Sequence, residues 1–170
     1  MSKAFTRESD DLPVRRAVSP LPSLLPPGVK NYLTADGARG LRAELSRLVE
    51  VERPKAAAAT DGSDAGQQLE ALDQRIRHLQ QGLHAAEIVP PPDPPWHQVR
   101  FGAVVTVRNG SGGKSRYHIV GVGETDIEQD RVSWLSPIAK ALLNARLGQR
   151  VRFKFPSGEE LLEIVNISYD

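Results

Sequence analysis

Apolar residues recur at alternating intervals of three and four in one stretch of the chain: Leu69, Leu72, Ile76, Leu79, Leu83 and Ala86. That spacing keeps a single apolar seam turned toward a partner helix for three heptads. Leu41, Leu45 and Leu48 supply a matching seam upstream, and Ala56 to Ala59 extend it with side chains small enough for two backbones to approach closely. Only the turn-rich Thr60-Asp61-Gly62-Ser63-Asp64-Ala65-Gly66 separates the two runs, so the pattern predicts an antiparallel helical hairpin over residues 34–89. Thr34 is its expected N-cap, with Asp36 near the positive end of the helix dipole. Pro54 falls inside the first helix, where it removes a backbone hydrogen bond and is expected to kink the rod. Asp64 is the expected N-cap of the second helix, which runs to Glu87-Ile88-Val89 and stops at the proline block 90–95.

Beyond Trp96 the period changes to two. Val105-Thr106-Val107 and Tyr117-His118-Ile119-Val120 read as hairpin strands around the turn residues Asn109-Gly110-Ser111-Gly112-Gly113. A further strand is expected near Arg131-Val132-Ser133-Trp134. Ser136-Pro137 then opens a short helix with Ile138, Ala141 and Leu142 on one face, and Gly148 lies past its end. Val151 to Phe155 and Leu161 to Ile167 close the domain across Pro156-Ser157-Gly158. The expected fold class is α+β: a helical hairpin followed by a small antiparallel sheet covered by one helix. Residues 1–30, with five prolines and no period, are expected to be a disordered tail; 31–89 form the hairpin, 90–95 a stiff linker, and 96–170 the second domain.

Composition narrows the function classes. The 170 residues include no cysteine, which excludes disulfides, thiol catalysis and cysteine-held zinc. No apolar run approaches the roughly 20 residues that span a bilayer, and the N-terminus lacks the apolar core of a signal peptide, so no membrane partner and a cytoplasmic location are expected. The net charge of +1 divides as +2, −2 and +1 over residues 1–33, 34–89 and 90–170. A partner held by phosphate contacts normally calls for a basic excess, so tight direct DNA binding is not expected.

Several motifs fail on inspection. Gly113-Lys114-Ser115 lacks the upstream glycine of a phosphate loop, because position 108 is Arg108, and a strand follows it instead of a helix. His78, His84, His97 and His118 have no metal-ligand spacing. Asp61 and Asp64 differ in placement: two carboxylates three residues apart at the end of a rod can hold a hard cation whose remaining ligands come from a second molecule. The same residues also serve as ordinary turn and cap chemistry. Trp134 and Leu135, beside the capped Ser136-Pro137, are candidate apolar docking contacts, with Trp134 equally suited to the sheet core.

These elements resemble a known family. Asn31-Tyr32-Leu33-Thr34, Glu52-Arg53-Pro54, Leu72-Asp73-Gln74-Arg75-Ile76-Arg77, Glu87-Ile88-Val89, Ser136-Pro137-Ile138-Ala139-Lys140-Ala141-Leu142-Leu143 and Glu163-Ile164-Val165-Asn166-Ile167-Ser168-Tyr169 are similar to the bacterial Gre-type transcript cleavage factors, most closely the GreB branch, over about residues 31–170. The resemblance implies an N-terminal coiled coil and an FKBP-like C-terminal domain. It further implies docking of the C-terminal domain at the rim of the RNA polymerase secondary channel, with the hairpin entering the channel; the loop Trp134, Leu135, Ser136 and Pro137 is the expected docking contact. There Asp61 and Asp64 would match the family's acidic pair, which helps to hold the polymerase's catalytic magnesium while the polymerase hydrolyses its own backtracked RNA. The chain itself would then be no enzyme, would need no cofactor in isolation, and would meet the RNA only indirectly.

Two departures qualify the likeness. Each arm is shorter than in that family by roughly two turns, about 10 Å, and the residue before Ser136-Pro137, polar there, is Leu135 here. The shortened hairpin also resembles Rnk, a Gre-like protein of the same channel without cleavage activity. The expectation is therefore polymerase binding with weak or absent cleavage. The alternatives are an active GreB-like cleavage factor using Asp61 and Asp64, an FKBP-type prolyl isomerase, or a coiled-coil adaptor. An isomerase needs an open aromatic pocket, whereas Phe101, Tyr117, Phe153 and Phe155 are expected in the core.

Overall fold

The heptad pattern of the first half folds as a rod of two packed arms. The computed structural model describes residues 25–59 and 63–170. Asp61 and residues 1–24 of the N-terminal tail lie outside that range. The first arm comprises α1 (Ala35–Arg47), a π-helical turn (Leu48–Glu52) and α2 (Arg53–Ala58). The second is α3 (Ser63–His84). Leu48, Ile76 and Leu79 are buried between the arms, with Leu41, Leu45 and Leu72 packed around them. The arms are antiparallel, because Glu44 meets Arg75 and the later Arg53 meets the earlier Asp73.

Pro54 perturbs the first arm one turn upstream of itself. A proline ring collides with the carbonyl four residues back and has no N–H to donate. The chain widens instead into the π-helical turn, where the Arg53 N–H reaches five residues back to the Leu48 carbonyl.

Two expectations at the ends of α3 are corrected. Asp64 is not the N-cap, since the helix has already begun at Ser63. At the other end the helix stops at His84, and Ala86–Val89 forms a strand, β2. It pairs in parallel with β1 (Asn31–Thr34), residue for residue from Asn31–Ala86 to Thr34–Val89. The β-branched Ile88 and Val89 favour that state, and the Asn31 side-chain amide donates to the Gly82 carbonyl at 2.8 Å, satisfying an acceptor in the last turn of α3. This two-stranded ribbon forms the base of the rod, with Leu33 and Ala38 fully buried at it.

The second half contains a five-stranded sheet in the order β5-β4-β3-β7-β6, built from β3 (Ala103–Arg108), β4 (Lys114–Val120), β5 (Arg131–Ser133), β6 (Arg150–Phe155) and β7 (Gly158–Tyr169). It is mixed, not wholly antiparallel as expected, because β5 runs parallel to β4. The β3–β4 turn is closed by Asn109, whose Oδ1 accepts the Gly113 N–H at 2.7 Å, while Gly112 supplies a φ of +88° that side chains resist. The short helix α4 (Pro137–Leu142) covers one face of the sheet with Ile138, Ala139 and Leu142. Val105, Val107, Ile119, Val151, Leu162 and Ile164 meet it from the strands. Tyr117 and Phe153 pack against this core, but Phe155, expected there, lies outside it at the end of β6, 37% exposed, with its ring against Phe153. No helix among the described residues is long and apolar enough to cross a membrane.

Candidate functional site

Three places carry the chemistry that the sequence singles out: the rod's tip, its shaft, and the loop before α4. At the tip, Asp64 is exposed in the first turn of α3, where the helix dipole favours a carboxylate. Its proposed companion Asp61 lies outside the described residues. Among the described residues no group of three or more histidines and acids gathers closely enough to hold a metal ion.

Along the shaft, the motif residues prove to be braces between the arms. Arg53 donates to both carboxylate oxygens of Asp73, at 2.7 and 3.3 Å, and Arg75 donates twice to Glu44, at 3.1 and 2.8 Å. The hydrogen bond from Arg53 holds the Asp73 carboxyl below its usual range. A planar guanidinium matched to a carboxylate fixes the longitudinal register of the arms, which apolar contacts alone leave free to slide.

The loop before α4 is held rigid. The Ser136 Oγ accepts the Ala139 N–H at 3.3 Å, Pro137 occupies the first helical turn, and the Leu135 N–H donates to the Ser133 Oγ at 3.1 Å. Trp134 does not project into solvent. Its ring packs on the core and edge-on to Tyr32 of β1, with centroids 5.2 Å apart, and its indole N–H is buried without a partner among the described residues. Leu135 and Ser136 are half-buried and Pro137 is exposed, so these three form the accessible part of the loop.

A fourth element was missed by the sequence reading. Glu124, in a 3-10 turn after β4, is 7% exposed, and its carboxylate accepts the Thr34 N–H at 3.0 Å, the Thr34 hydroxyl, and the Gly121 N–H at 2.9 Å. Thr34 in turn caps α1 by accepting the Gly37 N–H at 2.9 Å. The rod is thus bolted to the second half through one buried acid, at the point where β1 also contributes Tyr32 to Trp134 and Phe101. The available signal was a pair of glycines: a Cβ on Gly37 would lie 1.6 Å from the Glu124 carboxylate, and one on Gly121 would lie 2.1 Å from the Tyr32 carbonyl.

Comparison with known proteins extends beyond the C-terminal half. The family model described as transcription elongation factor GreA/GreB, C-terminal, matches residues 94–169. A transcription elongation factor GreB of Neisseria meningitidis (serogroup A) is 38% identical over 154 residues, covering 82% of this chain and 94% of that protein. GreB of Pseudomonas aeruginosa is 37% identical over 152 residues, covering 81% and 89%. A solved GreA/GreB structure from Nitrosomonas europaea covers 82% of this chain and all of that one, at 22% identity and a TM-score of 0.41. With relatives at this identity matched along nearly their whole length, the chain belongs to the GreA/GreB family of transcription elongation factors.

Proposed function

We propose that the protein binds bacterial RNA polymerase through its C-terminal half, at the rim of the secondary channel, and places its helical hairpin in that channel with little or no stimulation of transcript cleavage. In this reading the rod is a short coiled coil, the second half is an FKBP-like docking domain, and the accessible Leu135 and Pro137 contribute to the docking surface. The observation that carries the proposal is the match to GreB along 94% of its length, which takes in hairpin and docking half together.

The weak-cleavage part rests on reach. The arm from Ala35 to Ala58 is about 36 Å long at 1.5 Å per residue. The 154 positions matched to the Neisseria protein occupy only 82% of 170 residues here, so about 15 residues of that relative face a gap. Two turns missing from each arm would leave a gap of about that size, roughly 14 residues. Ligation of a hard cation needs oxygens at about 2–2.6 Å, a tolerance far smaller than such a shortfall. The chain's contribution would be carboxylate oxygens of Asp64 and Asp61 alone, too few to hold magnesium without ligands from the polymerase. Asp61 and Asp64 would supply carboxylate ligands to such an ion, and the chemistry it would contribute there is activation of water for hydrolysis.

Adding the protein to backtracked elongation complexes tests the proposal. Binding that displaces a cleavage-competent Gre factor, without shortening of the RNA, is the expected result. Failure to bind polymerase refutes the whole reading; binding with robust cleavage establishes the alternative of an active cleavage factor. The isomerase alternative has little support, because Tyr117, Phe153 and Phe101 are engaged in packing.

A further inference from the structure

Cross-strand partners in a sheet project to the same face, and so do every second residue of a strand. The row Lys114–Arg108–Glu163–Arg150 therefore lies on one face of the C-terminal sheet. Alternation adds Arg116 from β4, and Arg152 and Lys154 from β6. The core residues Val107, Ile119, Val151 and Leu162 project to the other face. The outer face thus gathers six of the ten Lys and Arg of residues 90–170 against three acids: Glu159, Glu163 and, at its far end beside His118, Asp170. The segment's net charge of +1 conceals this, because Asp126, Glu128 and Asp130 lie apart, in the turn before β5.

We propose that this outer sheet face binds the phosphate backbone of single-stranded RNA. Glu163 is engaged by Arg108 at 2.9 Å and Glu159 by Arg152 at 3.6 Å, whereas Lys114, Arg116, Arg150 and Lys154 form no ion pair among the described residues. Cations on alternate residues of β6 stand about 6.6 Å apart, a regular ladder on an extended surface. An open groove of about 450 Å³ runs between Arg108, Arg150 and Leu161.

The chemistry favours RNA over an acidic protein surface. Protein hot spots are built on buried aromatic or apolar anchors; Val104 and Val120 on this face are already buried within the molecule, which leaves Leu161 exposed, while guanidinium forks match phosphate oxygens. A sheet face has no helix to lay in a duplex groove, which favours a flexible strand held without base readout. The proposal is independent of where the protein docks on polymerase.

Fluorescence anisotropy of a labelled single-stranded 12-nucleotide RNA, with the full chain and no polymerase, tests it. If four phosphates are neutralised, the log–log salt slope is about −2.8, and raising salt from 50 to 200 mM weakens binding by about 50-fold. Arg116→Glu/Arg150→Glu should lose at least tenfold in affinity at 50 mM salt with an unchanged melting temperature. Arg150→Gln/Lys154→Gln gives a milder version if the reversal disturbs folding, with a smaller loss expected. Absence of binding, a flat salt response, or wild-type affinity in the folded variants would overturn the proposal. Equal affinity for duplex DNA of the same length, or full displacement of the RNA by poly-glutamate at matched charge, would also overturn it in favour of a generic polyanion or acidic-protein site.

Discussion

Glu124 and Thr34, ninety residues apart, are joined by two hydrogen bonds, one from the Thr34 amide and one from its hydroxyl. Hydrogen bonds to a charged group contribute about 1.5–3 kcal/mol each, and an orphaned buried donor adds a further penalty. Glu124→Ala should therefore cost about 3 kcal/mol or more, lowering the melting temperature by roughly 6–12 °C. Glu124→Gln should retain part of the loss, since its amide offers one acceptor where the carboxylate has two. Gly37→Ala should mimic Glu124→Ala, because its methyl would occupy the space of the carboxylate. Thermal melts followed by circular dichroism check all three, and near-wild-type values would show that the bolt is dispensable.

Two residues of the loop before α4, Trp134 and Leu135, should separate by phenotype. Trp134→Ala empties space between β1 and the core and should destabilise by about 3–5 kcal/mol. Leu135→Asp, at a half-buried site, should weaken polymerase binding while leaving the melting temperature nearly unchanged. Pull-down with purified polymerase alongside melts distinguishes them; unfolding of Leu135→Asp would assign Leu135 to the core.

Asp61→Asn and Asp64→Asn test the tip in a transcription assay on backtracked complexes. The expected outcome is unchanged polymerase binding and, for both, cleavage no different from the weak or absent cleavage of the parent. Strong parental cleavage that vanishes in both variants would assign the pair to metal ligation.

Burial pushes the His118 imidazole below its usual range, against the opposing pull of Asp170 at 3.9 Å. The unfolded state then binds more protons than the folded one between the lowered value and the ordinary 6.5. Stability from this site is complete above about pH 6.5 and is lost as pH falls through that window. Denaturant melts at pH 7.5 and 5.5 should show the decline, and His118→Asn should flatten it. Asp73 and Glu163, both held low by arginine partners, act only further into acid, as pH falls below the ordinary carboxylate range.

The legible parts of this fold were those with a period. The seam Leu41, Leu45, Leu48, Ile76, Leu79 and the alternation through β3, β4 and β6 each repeat often enough to identify an element. The ribbon β1–β2 was not legible, because Ala86 falls on the heptad phase of α3 and four residues are too few to show a new period. Glu124 carries no periodic signal at all; its role exists only once Thr34 is brought beside it. The cap at Ser136 was legible because its hydrogen bond spans three residues. The basic outer face was written in Arg150, Arg152 and Lys154 but hidden by totals, since net charge sums over faces that a sheet keeps apart.

The wide turn at Leu48–Glu52 interrupts the angular sequence of side chains, so whatever follows it leaves α1 rotated out of step. Beyond it, after Arg53-Pro54-Lys55, the helix ends in three alanines in succession, Ala56 to Ala58. A cylinder bearing the same methyl group at every azimuth has no preferred side, and rotation about its axis leaves the surface offered to α3 unchanged. The alanine tip of the rod is therefore insensitive to angular error, and alignment is set below it, by the leucines and the Arg75–Glu44 brace on α1 and by the Arg53–Asp73 brace just past the wide turn.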